Sequence, residues 1–126
     1  MKIKNVIIGI RSIEEMLNNA KDVMERLERG EKVKKKRAGV YFENLDVMRK
    51  AITHERLKIL KAIKEKHPES IYELARLLNR NLKNVSSDVH YLAELGLIEL
   101  EKEKSNGREK TMPIVNYDKI LLEIPV

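Results

Sequence analysis

The chain has 126 residues, enough for one modest core, and its 42% hydrophobic and 37% charged content marks a soluble globular chain, not a disordered one. It has no cysteine, which excludes disulfides and thiolate metal sites, and no apolar run long enough to span a bilayer or to serve as a signal peptide, so a cytoplasmic location is expected. The net charge is +6, but residues 31–37 (EKVKKKR) supply +4 of it, so the total does not by itself argue for a nucleic-acid surface.

The opening segment, MKIKNVIIGI, is rich in β-branched residues, and Ile3, Val6, Ile7, Ile8 and Ile10 predict a strand. Ser12 with Glu15 forms a capping box that opens a helix. Ile13, Met16, Leu17, Ala20, Val23, Met24 and Leu27 trace its apolar face to about Arg29, and Gly30 ends it. That face either packs on the domain's own sheet or forms a dimer surface. The basic run 31–37 is either a phosphate-contacting arm or a solvated loop. Residues 38–43 predict a short strand with Phe42, the only phenylalanine, in the core. Asn44 caps a short helix holding Leu45, Val47, Met48 and Ile52, and Thr53 caps the next one. The expected core face of that second helix is Leu57, Leu60 and Ile63, with Ile59 and Ala62 beside it, and His67-Pro68 closes it.

Residues 70–95 (SIYELARLLNRNLKNVSSDVHYLAEL) organise the rest. Ser70 and Glu73 make another capping box, and Ile71, Leu74, Ala75 and Leu78 recur at helical spacing. The pattern breaks at Asn79-Arg80-Asn81, and Asn81 can cap a second helix with the stripe Leu82, Val85, Val89, Leu92. Gly96 stops it, because glycine takes the left-handed conformation at a helix end without a steric penalty. Two short helices around a polar turn form a helix-turn-helix unit, whose second helix is shaped for a DNA major groove. Residues 97–102 alternate as a strand, and 104–108 (KSNGR) form a hairpin turn marked by Asn-Gly. Residues 111–115 return, with Pro113 indicating an edge strand. This hairpin is the wing of a winged-helix pattern. Residues 117–124 predict a last strand, paired with the N-terminal strand or with 38–43.

At about 100° per residue, the second helix of the pair turns Ser87 almost opposite its core stripe. Lys83, Asn84, Tyr91 and Glu94 share the outer face, His90 lies less squarely on it, and Ser86 sits at its margin. Asn84 can pair with adenine, Lys83 can reach guanine or a phosphate, and Ser87 permits close approach. The candidate DNA-binding set is Arg80, Asn81, Lys83, Asn84, Ser86, Ser87, His90 and Tyr91 from the turn and helix. Lys104, Ser105, Asn106, Arg108 and Lys110 complete it from the wing. Asp88 is expected to make a structural hydrogen bond. Glu94, Glu99 and Glu101 would repel phosphates, which limits the contact surface to the helix start and the wing tip.

From about Phe42 onward the chain resembles small archaeal and bacterial winged-helix transcriptional regulators. The residues that carry this are 53–60 (THERLKIL), 70–75 (SIYELA), Arg80, Val85, Asp88, Val89, Leu92 and 94–98 (ELGLI). Winged-helix repressors of the MarR and ArsR kind share the cadence. The resemblance implies a repressor, in some relatives encoded beside toxin–antitoxin-like genes. It departs from the metal-sensing branch, having no cysteine and only the scattered His54, His67 and His90.

The reading is therefore an α+β fold, a winged helix-turn-helix with an added N-terminal strand-helix and a small second sheet. Residues 1–52 form a strand-helix-strand extension for dimerisation, 53–115 the DNA-binding domain and 116–126 a C-terminal strand. The expected function is a sequence-specific double-stranded DNA-binding transcriptional regulator, a repressor acting as a homodimer. The alternative is a protein-interaction module, such as the antitoxin partner of a toxin-like protein. No nucleotide-binding glycine loop, metal-ligand spacing or nucleophile–base pair points to an enzyme, and no cofactor, metal or membrane association is expected.

Overall fold

The computed structural model describes residues 4–32 and 39–126, and among these it is a mixed α+β protein with five helices and two small sheets. Residues 33–37 of the basic run, and Ile3 of the first predicted strand, lie outside the described residues. The chain divides into two compact units, one made of residues 1–51 with 119–126 and the other of residues 52–118.

In the first unit β1 (Asn5–Ile10) is the centre of a three-stranded sheet, flanked by β2 (Gly39–Phe42) and β5 (Lys119–Glu123). Both neighbours run parallel to β1. A parallel neighbour needs a long connection, which α1 (Ile13–Glu28) provides between β1 and β2. The last strand thus pairs with the N-terminal strand, in the register Val6–Ile120 and Ile8–Leu122. Val6, Ile8 and Phe42 alternate onto one face and are buried, Ile8 completely. Gly9, Gly39 and Tyr41 share the other face. Ser12 caps α1, accepting from the Glu15 amide at 3.1 Å. Yet α1 buries no residue: Leu17 is 65% and Met24 63% exposed, and only Met16 and Val23 of its apolar face are half-buried. Asn44 caps α2 (Leu45–Ala51) through a 2.9 Å bond from the Val47 amide, and that helix buries Met48 and Ala51.

The second unit contains α3 (His54–Lys66), α4 (Ile71–Leu78), α5 (Leu82–Glu94), β3 (Glu99–Ser105) and β4 (Arg108–Ile114). Thr53, Ser70 and Asn81 cap the three helices as expected from their side-chain oxygens. The capping box at α4 is shifted by one residue, since the Glu73 carboxylate accepts from the Glu69 amide at 3.1 Å. The core comprises Ile59, Leu60 and Ile63 of α3, Ile71, Leu74 and Ala75 of α4, and Val85, Val89 and Leu92 of α5, with Leu97 and Ile98 beyond. Two expectations are corrected. Leu57 is 41% exposed while Ile59 is fully buried, because the stripe of α3 runs through 59, 60 and 63 and position 57 lies off it. Leu82, 46% exposed, stands in the first turn of α5, outside the stripe Val85–Val89–Leu92.

The ends of α4 and α5 are closed alike. Arg80 N donates to Ala75 O and Asn79 N to Arg76 O, both at 3.1 Å, with Asn79 in the left-handed conformation at φ 52°. At α5, Leu97 N donates to Leu92 O at 2.9 Å and Gly96 N to Ala93 O at 3.0 Å, with Gly96 at φ 85°. At each end this pair of hydrogen bonds satisfies two of the orphan carbonyls of the last turn. Asparagine tolerates that backbone better than other residues with a Cβ, so Asn79→Ala should lower stability by about 1 kcal/mol. Urea denaturation would show this as an earlier midpoint, and an unchanged midpoint would contradict it.

β3 and β4 form an antiparallel hairpin around Asn106-Gly107, both at positive φ, as a two-residue turn of the primed kind requires. Its ladder extends further toward the turn than the sequence pattern suggested, to Ser105–Arg108. The added pairs Glu103–Lys110 and Lys104–Glu109 set opposite charges across from one another, which favours pairing. Beyond β4, the Tyr117 hydroxyl donates to Leu97 O at 2.9 Å, and burial raises its pKa to about 12. An ion pair between Lys64 and Asp118 (3.2 Å) ties the end of this unit to α3.

Candidate functional site

The candidate site is built on the α4–turn–α5 pair and the following hairpin. Asn81 is exposed, and its Oδ1 accepts from the amides of Lys83 (2.8 Å) and Asn84 (3.3 Å). Its side chain is therefore committed to starting α5. That start fixes the helical phase: Val85, Val89 and Leu92 are fully buried, which leaves Lys83, Asn84 and Ser87 exposed within the first two turns. Ser86 is half-buried. His90 is exposed, but its Nδ1 lies 2.7 Å from Ser86 O and 3.3 Å from Ser86 Oγ. A carbonyl only accepts, so Nδ1 is the donor in that contact.

Asp88 receives two guanidinium groups. Arg56 Nε donates to its Oδ1 and Arg80 Nη2 to its Oδ2, each at 3.2 Å. The three side chains are only about one-fifth to one-quarter exposed. The guanidinium of Arg56 also stacks over the ring of Tyr91 at 4.1 Å. Asp88 thus makes the structural contact expected of it. Arg80 is turned inward to the carboxylate instead of outward, and Tyr91 is half-buried beneath Arg56. Arg80 Nη1 is buried without a hydrogen-bond partner.

In the hairpin, Asn106 forms the turn, Ser105 pairs with Arg108 across it, and Lys104 and Arg108 are exposed. Lys110 approaches Glu69, just before α4, at 4.0 Å. The structure brings Lys83, Asn84 and Ser87 together on one exposed face of α5, and Lys104 with Arg108 at one end of the hairpin. Arg80, Asn81, His90 and Tyr91 are each engaged by contacts within the second unit. Glu94, Glu99 and Glu101 are exposed.

Sequence reasoning passed over the outer face of α4. An open groove of ≈ 410 Å³ runs along α4 and the turn, lined among others by Tyr72, Arg76, Asn79 and Leu82. Tyr72 is 61% exposed. The signal was present in the spacing, since Tyr72 and Arg76 are four apart and opposite the buried Leu74–Ala75 side. Among the described residues no group of His, Asp or Glu side chains is arranged to hold a metal ion, and no helix is long and apolar enough to cross a membrane.

This architecture is a mixed α+β one in which a helix pair and a hairpin carry the exposed polar groups of the candidate site. Residues 51–122, more than half of the chain, match the family HVO_A0114, and the chain belongs to that family. No curated protein matches it.

Proposed function

We propose that the chain is a sequence-specific double-stranded DNA-binding transcriptional regulator, with residues 52–118 acting as a winged helix-turn-helix. In this reading α5 is the recognition helix and the β3–β4 hairpin is the wing. The observation that carries it is the phase of α5. Its N-terminal half exposes Lys83, Asn84 and Ser87 while every core position of the same helix is completely buried. A recognition helix meets base edges with this half, and lysine, asparagine and serine are suited to base edges and phosphates. Lys104 and Arg108 add positive charge at the hairpin end, where phosphates flanking a groove would lie. Arg80 and Tyr91 brace the helix in this reading, and Asn81 sets its start.

Binding by fluorescence anisotropy, to the duplex upstream of the protein's own gene and to a scrambled duplex, tests the proposal. Tight, selective binding that weakens steeply with salt is expected, and Lys83→Ala and Arg108→Ala should each weaken it about tenfold. Weak binding, equal on both duplexes and unchanged in the variants, would overturn it. The second reading is a protein-docking module, and the exposed Tyr72, Leu77 and Leu82 favour it. It predicts a protein partner whose affinity depends on Tyr72 and is indifferent to Lys83 and Arg108.

A further inference from the structure

We propose that α1 is a self-association surface, pairing antiparallel with α1 of a second copy of the chain; this does not depend on the DNA reading. Ile13, Leu17, Ala20, Met24 and Leu27 recur with spacings of four, three, four and three. These five take the a and d positions of a heptad, and Met16 and Val23 widen the apolar stripe on one side of them. The seam is open: Ile13 is 53%, Leu17 65%, Met24 63% and Leu27 58% exposed. Met16 and Val23, the half-buried positions, lie along one flank of the seam. Glu14, Lys21 and Glu28 line the other.

These two flanks decide both the occupant and the direction. In a parallel pair, the charged flank of each helix would face the Met16–Val23 flank of its partner, and no ion pair would form. In an antiparallel pair, the charged flanks face each other. Setting Met24 against the partner's Ile13, and Ala20 against the partner's Leu17, brings Lys21 within two residues, about 3 Å along the axis, of the level of the partner's Glu14, inside the reach of an ion pair. The two-fold axis repeats that pair, so the seam is complementary to itself, as an isologous contact must be. The small Ala20 lets the helices approach closely at the centre, and the opposed helix dipoles favour this direction. The overlap covers residues 13–24, about three turns, which places the contact at the weak end of specific interfaces, with a dissociation constant of roughly micromolar or above.

Sedimentation equilibrium of the full chain, from about 1 µM to about 500 µM, tests the proposal across the range such interfaces span. A monomer–dimer equilibrium is expected. Leu17→Lys should weaken it at least about thirtyfold, since it sets two charges into the seam of each dimer. Leu17 is largely exposed in the protomer, so circular dichroism of this variant should be unchanged. Glu14→Lys and Lys21→Glu should each weaken association by about fivefold, and the two together should restore it to within about twofold. A monomer at every concentration would overturn the proposal, as would a dimer indifferent to Leu17→Lys. A double charge reversal no tighter than either single change would equally overturn it.

Discussion

Asp88→Ala is expected to lower the stability of the second unit by about 2–3 kcal/mol, more than any other surface-proximal substitution in that unit. The reason is the arithmetic of the site. One carboxylate receives hydrogen bonds from two guanidinium groups, Arg56 and Arg80, and all three side chains are mostly shielded from water. Removing the carboxylate leaves two neighbouring positive charges in a poorly hydrated place, each deprived of a charge-assisted hydrogen bond. The loss stays below the full penalty for a buried pair because all three side chains keep some contact with solvent. Arg80→Met should cost only about 1 kcal/mol, because Asp88 retains Arg56 and the unpartnered Nη1 of Arg80 disappears with the guanidinium. Urea titration monitored by circular dichroism would give both values. An Asp88→Ala midpoint equal to that of Arg80→Met would show that the carboxylate is not the keystone of this cluster. Tyr91 sits under Arg56, so loosening the cluster should also free the outer face of α5 and lower DNA affinity, if the proposed function holds.

This cluster also shows where sequence reasoning stops. Arg56 and Asp88 are 32 residues apart, and no periodicity or motif joins them. What was legible is local. Ser70, Asn81 and Gly96 announce helix ends through their own chemistry, and Asn106-Gly107 announces the hairpin because few other pairs accept two positive φ values in succession. The phase of α5 was legible for the same reason, since Val85, Val89 and Leu92 define one line. In α3 the run LKILKAI offers apolar residues at too many angles, and the fold buries Ile59 where the pattern favoured Leu57. For α1 the pattern gives an apolar face but cannot say what covers it, and the fold leaves Ile13, Leu17, Met24 and Leu27 of that face exposed. The parallel pairing of the last strand with the first depends on closure across the whole chain, which local pattern does not encode. Among the site residues, exposure of Lys83, Asn84 and Ser87 followed from helical phase. The inward turn of Arg80 did not, because it depends on the distant Asp88–Arg56 pair.

Gly9→Val is expected to destabilise the first unit by about 2–3 kcal/mol, through crowding and not through lost backbone freedom. Gly9 is the penultimate residue of β1, the central strand, between Tyr41 on one side and Glu123 on the other. A Cβ at this position would lie 2.8 Å from Tyr41 Cε1 and 3.2 Å from the backbone oxygen of Glu123. Gly39, on the same face, leaves equally little room, with Tyr41 Cε2 at 2.7 Å. The tyrosine ring thus lies flat across two glycines, and Arg11 stacks on its outer side at 3.7 Å from the ring centroid. The ring can swing aside for a methyl group, so Gly9→Ala should cost less, mainly the lost stacking of about 1 kcal/mol. The branched Val side chain also meets the β5 backbone, which cannot move without breaking the ladder. Amide hydrogen exchange is the discriminating measurement, with Ile8 reporting the first unit and Leu92 the second. Faster exchange at Ile8 alone is the expected result. The cost of Gly9→Ala should vanish in a Tyr41→Ala background, since the clash is with that ring; an undiminished cost there would mean that the glycine is required by the sheet itself and that the tyrosine platform is incidental.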